Sequence, residues 1–145
     1  MSDETRLAAA IRVLVRTFLV ANRYGAPGEG RLRFNPLDFH VLNALRDGGD
    51  ARPTALAEAL GVAKTTLGSA LARLEAGGLT ERRADPDDSR ARLACLTPEG
   101  RAVVAAIRRQ DARNASAMLD ALPPEDRDAF LAAMARIART LGEPR

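Results

Sequence analysis

The chain has few cysteine, histidine and aromatic residues. Its 145 residues include one cysteine, one histidine, four phenylalanines, one tyrosine and no tryptophan. The single cysteine, Cys95, excludes a disulfide within the chain and fits a reducing compartment. Scarce aromatic rings argue against single-stranded nucleic-acid binding, which depends on stacking of bases. Since the lone His40 has no Cys or Asp/Glu neighbour at ligand spacing, we expect no metal and no cofactor.

Long apolar runs are also missing. No stretch approaches the roughly 20 apolar residues that a membrane span requires, and the start, Met1-Ser2-Asp3-Glu4, is acidic rather than typical of a secretory signal. We therefore expect a cytoplasmic protein with no membrane partner. No glycine-rich phosphate loop follows a strand, and no histidine partners the cysteine, so we expect no enzymatic activity and no catalytic residue.

Apolar residues recur instead at spacings of three and four, which predicts a mostly α-helical chain. Residues 24–34 contain several glycines and a proline and are expected to form a loop. Helices are expected over 5–22, from Pro36 (after an Asn35 cap) to Gly48-Gly49, from a Thr54 cap to Gly61, over Lys64 to Ala76, from Thr97-Pro98 to about Leu119, and after Pro123-Pro124.

The segment from Arg52 to Gly100 has the pattern of a winged helix-turn-helix. Ala57 is small where two helices would touch, and Gly61 suits the tight turn between them. Two short strand-like pieces, 79–83 and 91–96, then flank the turn-rich Asp85-Pro86-Asp87-Asp88-Ser89. This order predicts a helix for the DNA major groove followed by a small β-hairpin wing.

The outward face of the predicted fourth helix favours DNA binding. It carries hydroxyl and basic side chains, a glycine (Gly68) that permits close approach, and no acid before Glu75. A solvated helix face is the alternative, although such faces usually mix Glu with Lys. The DNA-contacting residues predicted on this face are Lys64, Thr65, Thr66, Ser69 and Arg73.

The hairpin loop combines acids with two arginines, Arg90 and Arg92, which we also predict to contact DNA. Asp88 lies two residues before Arg90 and could hold its guanidinium through charge-assisted bonds. A preordered Arg90 would suit a narrow minor groove, where the negative potential is strongest. An exposed turn with weak local ion pairs explains the same residues equally well.

The flanking helices are apolar along one side, and Phe130, Met134, Ile137 and Leu141 form such a stripe. A domain of about fifty residues cannot cover them all, and a helix must bury its stripe somewhere. We therefore expect dimerisation helices in 1–34 and 101–145 and a winged helix-turn-helix DNA-binding lobe in 35–100, with a homodimer as the assembly.

Several motifs resemble the MarR family of bacterial winged-helix regulators over nearly the whole chain. They are Thr54-Ala55-Leu56-Ala57, Arg73-Leu74-Glu75, Gly78-Leu79, Arg82, Asp85-Pro86, Asp88-Ser89-Arg90, Leu96-Thr97 and Gly100. The resemblance implies a homodimer that binds a pseudo-palindromic double-stranded DNA operator. It also implies a repressor that leaves its DNA operator when a small phenolic or anionic effector binds or when a thiol is oxidised.

By this resemblance Arg90 is the wing-tip arginine, Asp88 is its brace, and Lys64 to Ala76 is the recognition helix. Two positions depart from the family pattern. Ala63 stands where a Ser or Thr cap is common, which costs about 1 kcal/mol of local stability. Ser89 stands where a second arginine is frequent, which lowers the charge of the wing.

Two other functions stay open. One is a winged-helix protein-interaction module without specific DNA binding, and the other is a thiol-based sensor acting through Cys95. The candidates for lining an effector pocket are better explained by core or dimer packing, so none is assigned as a ligand site; they are Arg16, Phe18, Tyr24, Phe34, Phe39 and His40.

Overall fold

The computed structural model describes residues 1–20 and 35–142. The predicted loop over 24–34, with Tyr24 and Phe34, lies outside the described residues. The chain divides into two compact units, one made of Leu32–Ile107 and the other of Met1–Arg31 with Arg108–Arg145. Within the described residues, no helix is both long and apolar enough to cross a membrane.

The helices and the hairpin follow one another in the predicted order. They are α1 (Asp3–Val15, continued by a π-helical turn, Arg16–Val20), α2 (Pro36–Gly48), α3 (Pro53–Leu60), α4 (Lys64–Ala76), β1 (Thr80–Asp85), β2 (Asp88–Leu96), α5 (Pro98–Asp120), a 3₁₀ turn (Pro124–Asp126) and α6 (Arg127–Gly142). The prediction of a mostly helical chain with a small antiparallel hairpin is confirmed.

Local signals place most helix ends correctly. Asn35 caps α2 by accepting the backbone N–H of Leu37 at 3.1 Å, and Gly61 ends α3 in the left-handed region at φ 65°. The start of α3 was predicted wrongly. Its cap is Arg52 rather than Thr54, because Pro53 takes the first helical position, which proline favours.

The core of the Leu32–Ile107 unit lies where α2, α3, α4, the hairpin and the start of α5 meet. Leu42, Leu67, Leu71 and Val104 are among its fully buried side chains. The inward face of α4 is therefore fixed by packing, and its opposite face is left for other contacts.

The hairpin is longer than predicted, since only Pro86 and Asp87 separate its strands. Its base is also attached to the helices, because Ala51 and Ala94 exchange two backbone hydrogen bonds of 2.8 and 3.2 Å. This bridge joins the residue just before Arg52 to β2 near the base of the hairpin.

Candidate nucleic-acid interface

The outer face of α4 is exposed as predicted. Lys64, Thr65, Thr66 and Ser69 are all solvent-exposed, and we call these four residues the α4 outer face. The Ser69 hydroxyl donates to the Thr65 carbonyl at 3.1 Å, and a Cβ built on Gly68 meets no atom within 4 Å. The surface is thus polar, free of acids and open to close approach.

The α4 helix begins without a side-chain cap, as expected for alanine at position 63. Ala63 has extended backbone angles and accepts no helix N–H through its side chain. The first backbone N–H groups of α4 therefore carry no side-chain cap partner.

Arg73 has an intramolecular partner that sequence reasoning missed. Its Nη2 lies 2.8 Å from Oδ1 of Asp38 and its Nε lies 3.5 Å from Oδ2. The Asp38 side chain is only 3% exposed. A buried carboxylate needs such a partner, because a buried charge without one is costly. Arg73 therefore ties α4 to α2, and a direct DNA contact by Arg73 stays a prediction.

The hairpin tip departs from a regular ladder. Ala84 pairs with Arg92, whereas the next residue, Asp85, pairs with Asp88. Residues 89–91 consequently have no partner on β1, and Arg90 lies in the middle of this bulge. Bulges re-aim side chains and often occur beside functional sites.

Asp88 acts on Arg90 differently from the prediction. Its Oδ1 accepts the backbone N–H of Arg90 at 3.0 Å, so it fixes the backbone of the bulge rather than the guanidinium. The two-residue spacing that suggested a side-chain brace is also the spacing of a local turn in which an Asp accepts a backbone N–H. The guanidinium itself is left available.

The arginines of the hairpin fall into two groups. Arg82 binds Glu75 and Arg83 binds Glu81, each through Nε at 2.9 Å. Arg90 and Arg92 are exposed and make no side-chain ion pair with any residue in the described ranges. The two arginines predicted to contact DNA are thus the ones with uncommitted charge.

A further pair joins the tip to the start of α3. The Arg52 guanidinium donates to Oδ2 of Asp85 through Nε at 2.8 Å, and its Nη2 lies 2.7 Å from the same oxygen. The backbone N–H of Asp87 and the Arg52 guanidinium hold the pKa of Asp85 below its ordinary value. Asp85 therefore remains a carboxylate that can organise the tip.

Cys95 is fully buried in β2, which settles an orientation that the sequence left open. Burial, followed by a hydrogen bond with Asp50, raises the pKa of its thiol to about 11. A buried thiol with a raised pKa carries little thiolate and reacts slowly. The geometry gives no support to thiol-based sensing.

We predict that Cys95 is protected from oxidants in the folded protein. A thiol-alkylating reagent at neutral pH should label it much more slowly in the native state than in urea. Hydrogen peroxide should change DNA binding of the wild type no more than that of Cys95→Ser. Rapid native labelling, together with a peroxide response that Cys95→Ser abolishes, would contradict this protection.

The pocket candidates fall on different elements, and two of them are not described. Phe39 packs against the core of the Leu32–Ile107 unit, and His40 is exposed on α2. Tyr24 and Phe34 lie outside the described residues. Arg16 and Phe18 belong to the π-helical turn after α1.

Comparison with known proteins identifies the winged helix-turn-helix. A sequence model of the MarR family matches residues 34–91. The transcriptional regulator HosA of Escherichia coli O111:H- is 41% identical over 68 residues, which are 47% of this chain and 50% of HosA. The segment 34–91 of this chain is therefore similar to the MarR family. The chain spans about half the length of this curated relative.

Solved structures extend the likeness to nearly the whole chain. FabT of Streptococcus pneumoniae, in complex with DNA, has a TM-score of 0.78 at 19% identity, covering 97% of this chain and 98% of FabT. BpsR of Bordetella bronchiseptica, whose DNA binding is regulated by 6-hydroxynicotinic acid, has a TM-score of 0.66 at 25% identity, covering 94% and 93%. The MarR-type fold therefore includes the helices outside the family match.

Proposed function

We propose that this chain is a transcriptional repressor of the MarR family that binds a pseudo-palindromic DNA operator in the cytoplasm as a homodimer. In this proposal the α4 outer face enters the major groove and Arg90 enters the adjacent minor groove. The observation that carries it is the contrast between the two faces of α4. One face is fully buried, and the other is polar and free of acids beside a hairpin with two uncommitted arginines.

The proposed contacts divide by chemistry. Lys64 suits a phosphate or a guanine edge, and the hydroxyls of Thr65, Thr66 and Ser69 suit phosphates and base edges at short range. Arg90 and Arg92 supply positive charge from the wing. Arg73 positions α4 through its pair with Asp38, and its predicted DNA contact is retained. Asp88 positions the backbone of the bulge through its bond to the N–H of Arg90.

The proposed homodimer rests on apolar surface that the described chain leaves uncovered. Neither α1 nor α6 contains a buried residue. The exposed fractions include 50% for Ile11 in α1 and 50% for Ile137 in α6. Exposed apolar stripes are typical of surfaces that bind a partner. A second copy of the chain carries the same stripes and can cover them in a symmetric dimer.

We also propose that a small anionic or phenolic molecule releases the repressor from DNA. The similarity to BpsR, whose DNA binding is regulated by 6-hydroxynicotinic acid, supports this class of effector. Thiol oxidation is the less favoured route, because Cys95 is buried and its thiol pKa is raised.

Selection of bound sequences from a random pool of duplexes tests the proposal without assuming where the operator lies. We expect an inverted repeat whose half-sites are separated by about one helical turn, roughly 34–36 Å. Recovery of sequences without any shared motif would instead favour the protein-interaction module.

Replacing Gly68 with alanine is predicted to raise the stability of the protein and to lower its affinity for DNA. Gly68→Ala should raise the free energy of unfolding by about 0.5–1 kcal/mol, because alanine is the better helix former and the added methyl meets no atom within 4 Å. The same methyl should lower the affinity for the selected duplex several-fold, since it holds α4 away from the groove. Denaturant unfolding and a binding titration measure the two effects.

The matched control is Gly48→Ala at the end of α2, where a Cβ also meets no atom within 4 Å. This variant should keep the wild-type affinity. Equal affinities for the wild type and Gly68→Ala would mean that α4 does not approach DNA closely at this point.

A further inference from the structure

The residue that joins α3 to the hairpin tip is Arg52, which no sequence motif singled out. It is the residue before Pro53 and makes no cap bond to its own helix. Its guanidinium reaches Asp85 with two short contacts and lies 3.9 Å from Oδ2 of Asp88. It therefore faces both carboxylates that shape the tip.

Each of these carboxylates uses its other oxygen to hold the backbone of the tip. Oδ1 of Asp85 accepts the N–H of Asp87 at 2.9 Å, and Oδ1 of Asp88 accepts the N–H of Arg90 at 3.0 Å. Hydrogen bonds thus run from the Arg52 side chain through Asp85 to the main chain of the tip. A longer ion pair of 3.9 Å links Arg52 to Asp88, whose other oxygen holds the backbone of Arg90.

These bonds matter because the strand ladder does not extend through the tip. The pairing jumps between Ala84 and Asp85, which leaves residues 89–91 opposite no residue of β1. The base of the hairpin is fixed by the Ala51–Ala94 bridge, and the tip is fixed by Arg52. Both attachments come from adjacent residues just before α3.

We infer that Arg52 is a positioning residue for the wing-tip arginine, which it orders through Asp85 and Asp88 without itself contacting DNA. The inference rests on the proposed DNA-binding function. A planar guanidinium can satisfy two carboxylates at fixed angles, whereas a lysine ammonium lacks this geometry. Ordering Arg90 before binding removes the entropy that a free loop would lose on entering a groove.

Hydrogen exchange on the free protein tests the anchor independently of DNA. In Arg52→Gln, amide exchange in peptides covering residues 86–91 should become at least several-fold faster, while exchange in α4 stays unchanged. Asp85→Asn should give the same pattern. The control is Arg83→Gln, which removes a hairpin arginine that binds Glu81 instead and should leave the tip unchanged.

DNA binding tests the functional half of the inference. Arg52→Gln should weaken binding to the selected duplex on the order of 10-fold, as expected when a charge-assisted pair that orders a binding group is broken. Its salt dependence should match the wild type, because a residue that touches no phosphate releases no counterion. Arg52→Lys should not restore affinity. In an Arg90→Ala background, Arg52→Gln should have little further effect.

Three results would overturn the inference. The first is unchanged amide hydrogen exchange at residues 86–91 in Arg52→Gln. The second is a salt dependence of DNA binding whose slope falls by about one per protomer in Arg52→Gln. The third is a loss of DNA affinity in the Arg52→Gln, Arg90→Ala double variant that equals the sum of the losses in the two single variants. If the wild type shows no sequence-specific DNA binding, the proposed function fails. The hydrogen-exchange measurement on the free protein still decides whether Arg52 orders the tip of the hairpin.

Discussion

Replacing Arg90 with alanine is expected to weaken binding to the operator about 10- to 100-fold without changing the fold. The side chain is exposed and has no ion-pair partner among the described residues, so its removal breaks no ion pair there. In a narrow minor groove, a guanidinium meets the strongest negative potential of the duplex. Each protomer of the proposed dimer loses one such contact, and the expected loss corresponds to about 0.7–1.4 kcal/mol per protomer.

Two readouts separate this role from a general loss of charge. The slope of log affinity against log salt should fall by about one per protomer, and the melting temperature should stay within the small range of a surface substitution. Arg83→Ala removes the same charge from the same hairpin and should change affinity little, because Arg83 is paired with Glu81. An unchanged affinity of Arg90→Ala with an intact dimer would remove Arg90 from the interface.

Gly100→Ala is expected to destabilise the Leu32–Ile107 unit by about 2–4 kcal/mol, the cost of overpacking against main chain that cannot move away. A Cβ on Gly100 would overlap the carbonyl oxygen of Leu79 and lie 3.0 Å from its carbonyl carbon. That carbonyl accepts the N–H of Thr97 at 3.1 Å. The Thr97 hydroxyl donates to the Gly78 carbonyl at 2.6 Å and accepts the Gly100 N–H at 3.0 Å.

Denaturant unfolding measures this effect, and Gly68→Ala serves as a comparison with the opposite sign. Both are helical glycines, but only Gly100 faces neighbouring main chain. An unfolding midpoint of Gly100→Ala equal to that of the wild type would show that the start of α5 shifts at no cost. The contact also gives a physical reason for the glycine that ends the Leu-Thr-x-x-Gly motif.

Local chemistry made much of the fold predictable. Asn35-Pro36 marks the start of α2, and Gly61 marks the left-handed end of α3, because such positions have strong residue preferences. The bounds of α4 were predicted correctly from apolar spacing and the glycines that follow it. The start of α3 was missed because Thr54 and Pro53 give competing signals one residue apart.

The ion pairs at the site were not predictable in the same way. Asp38 and Arg73 are 35 residues apart, and Arg52 and Asp85 are 33 apart, so no local pattern connects them. The sequence showed that the α4 outer face would be polar and exposed. It could not show that Arg73 would pair with a buried carboxylate. The burial of Cys95 likewise depends on which hairpin face packs inward, which strand alternation alone leaves open.

The most direct test of the account is a titration of the wild-type protein with the selected duplex and with a scrambled duplex of equal length, at two salt concentrations, with stoichiometry measured by sedimentation. We expect two chains per duplex and a preference of at least 10³-fold for the selected sequence. Equal, weak binding to both duplexes that disappears at the higher salt would show phosphate contacts alone and would contradict sequence-specific DNA recognition.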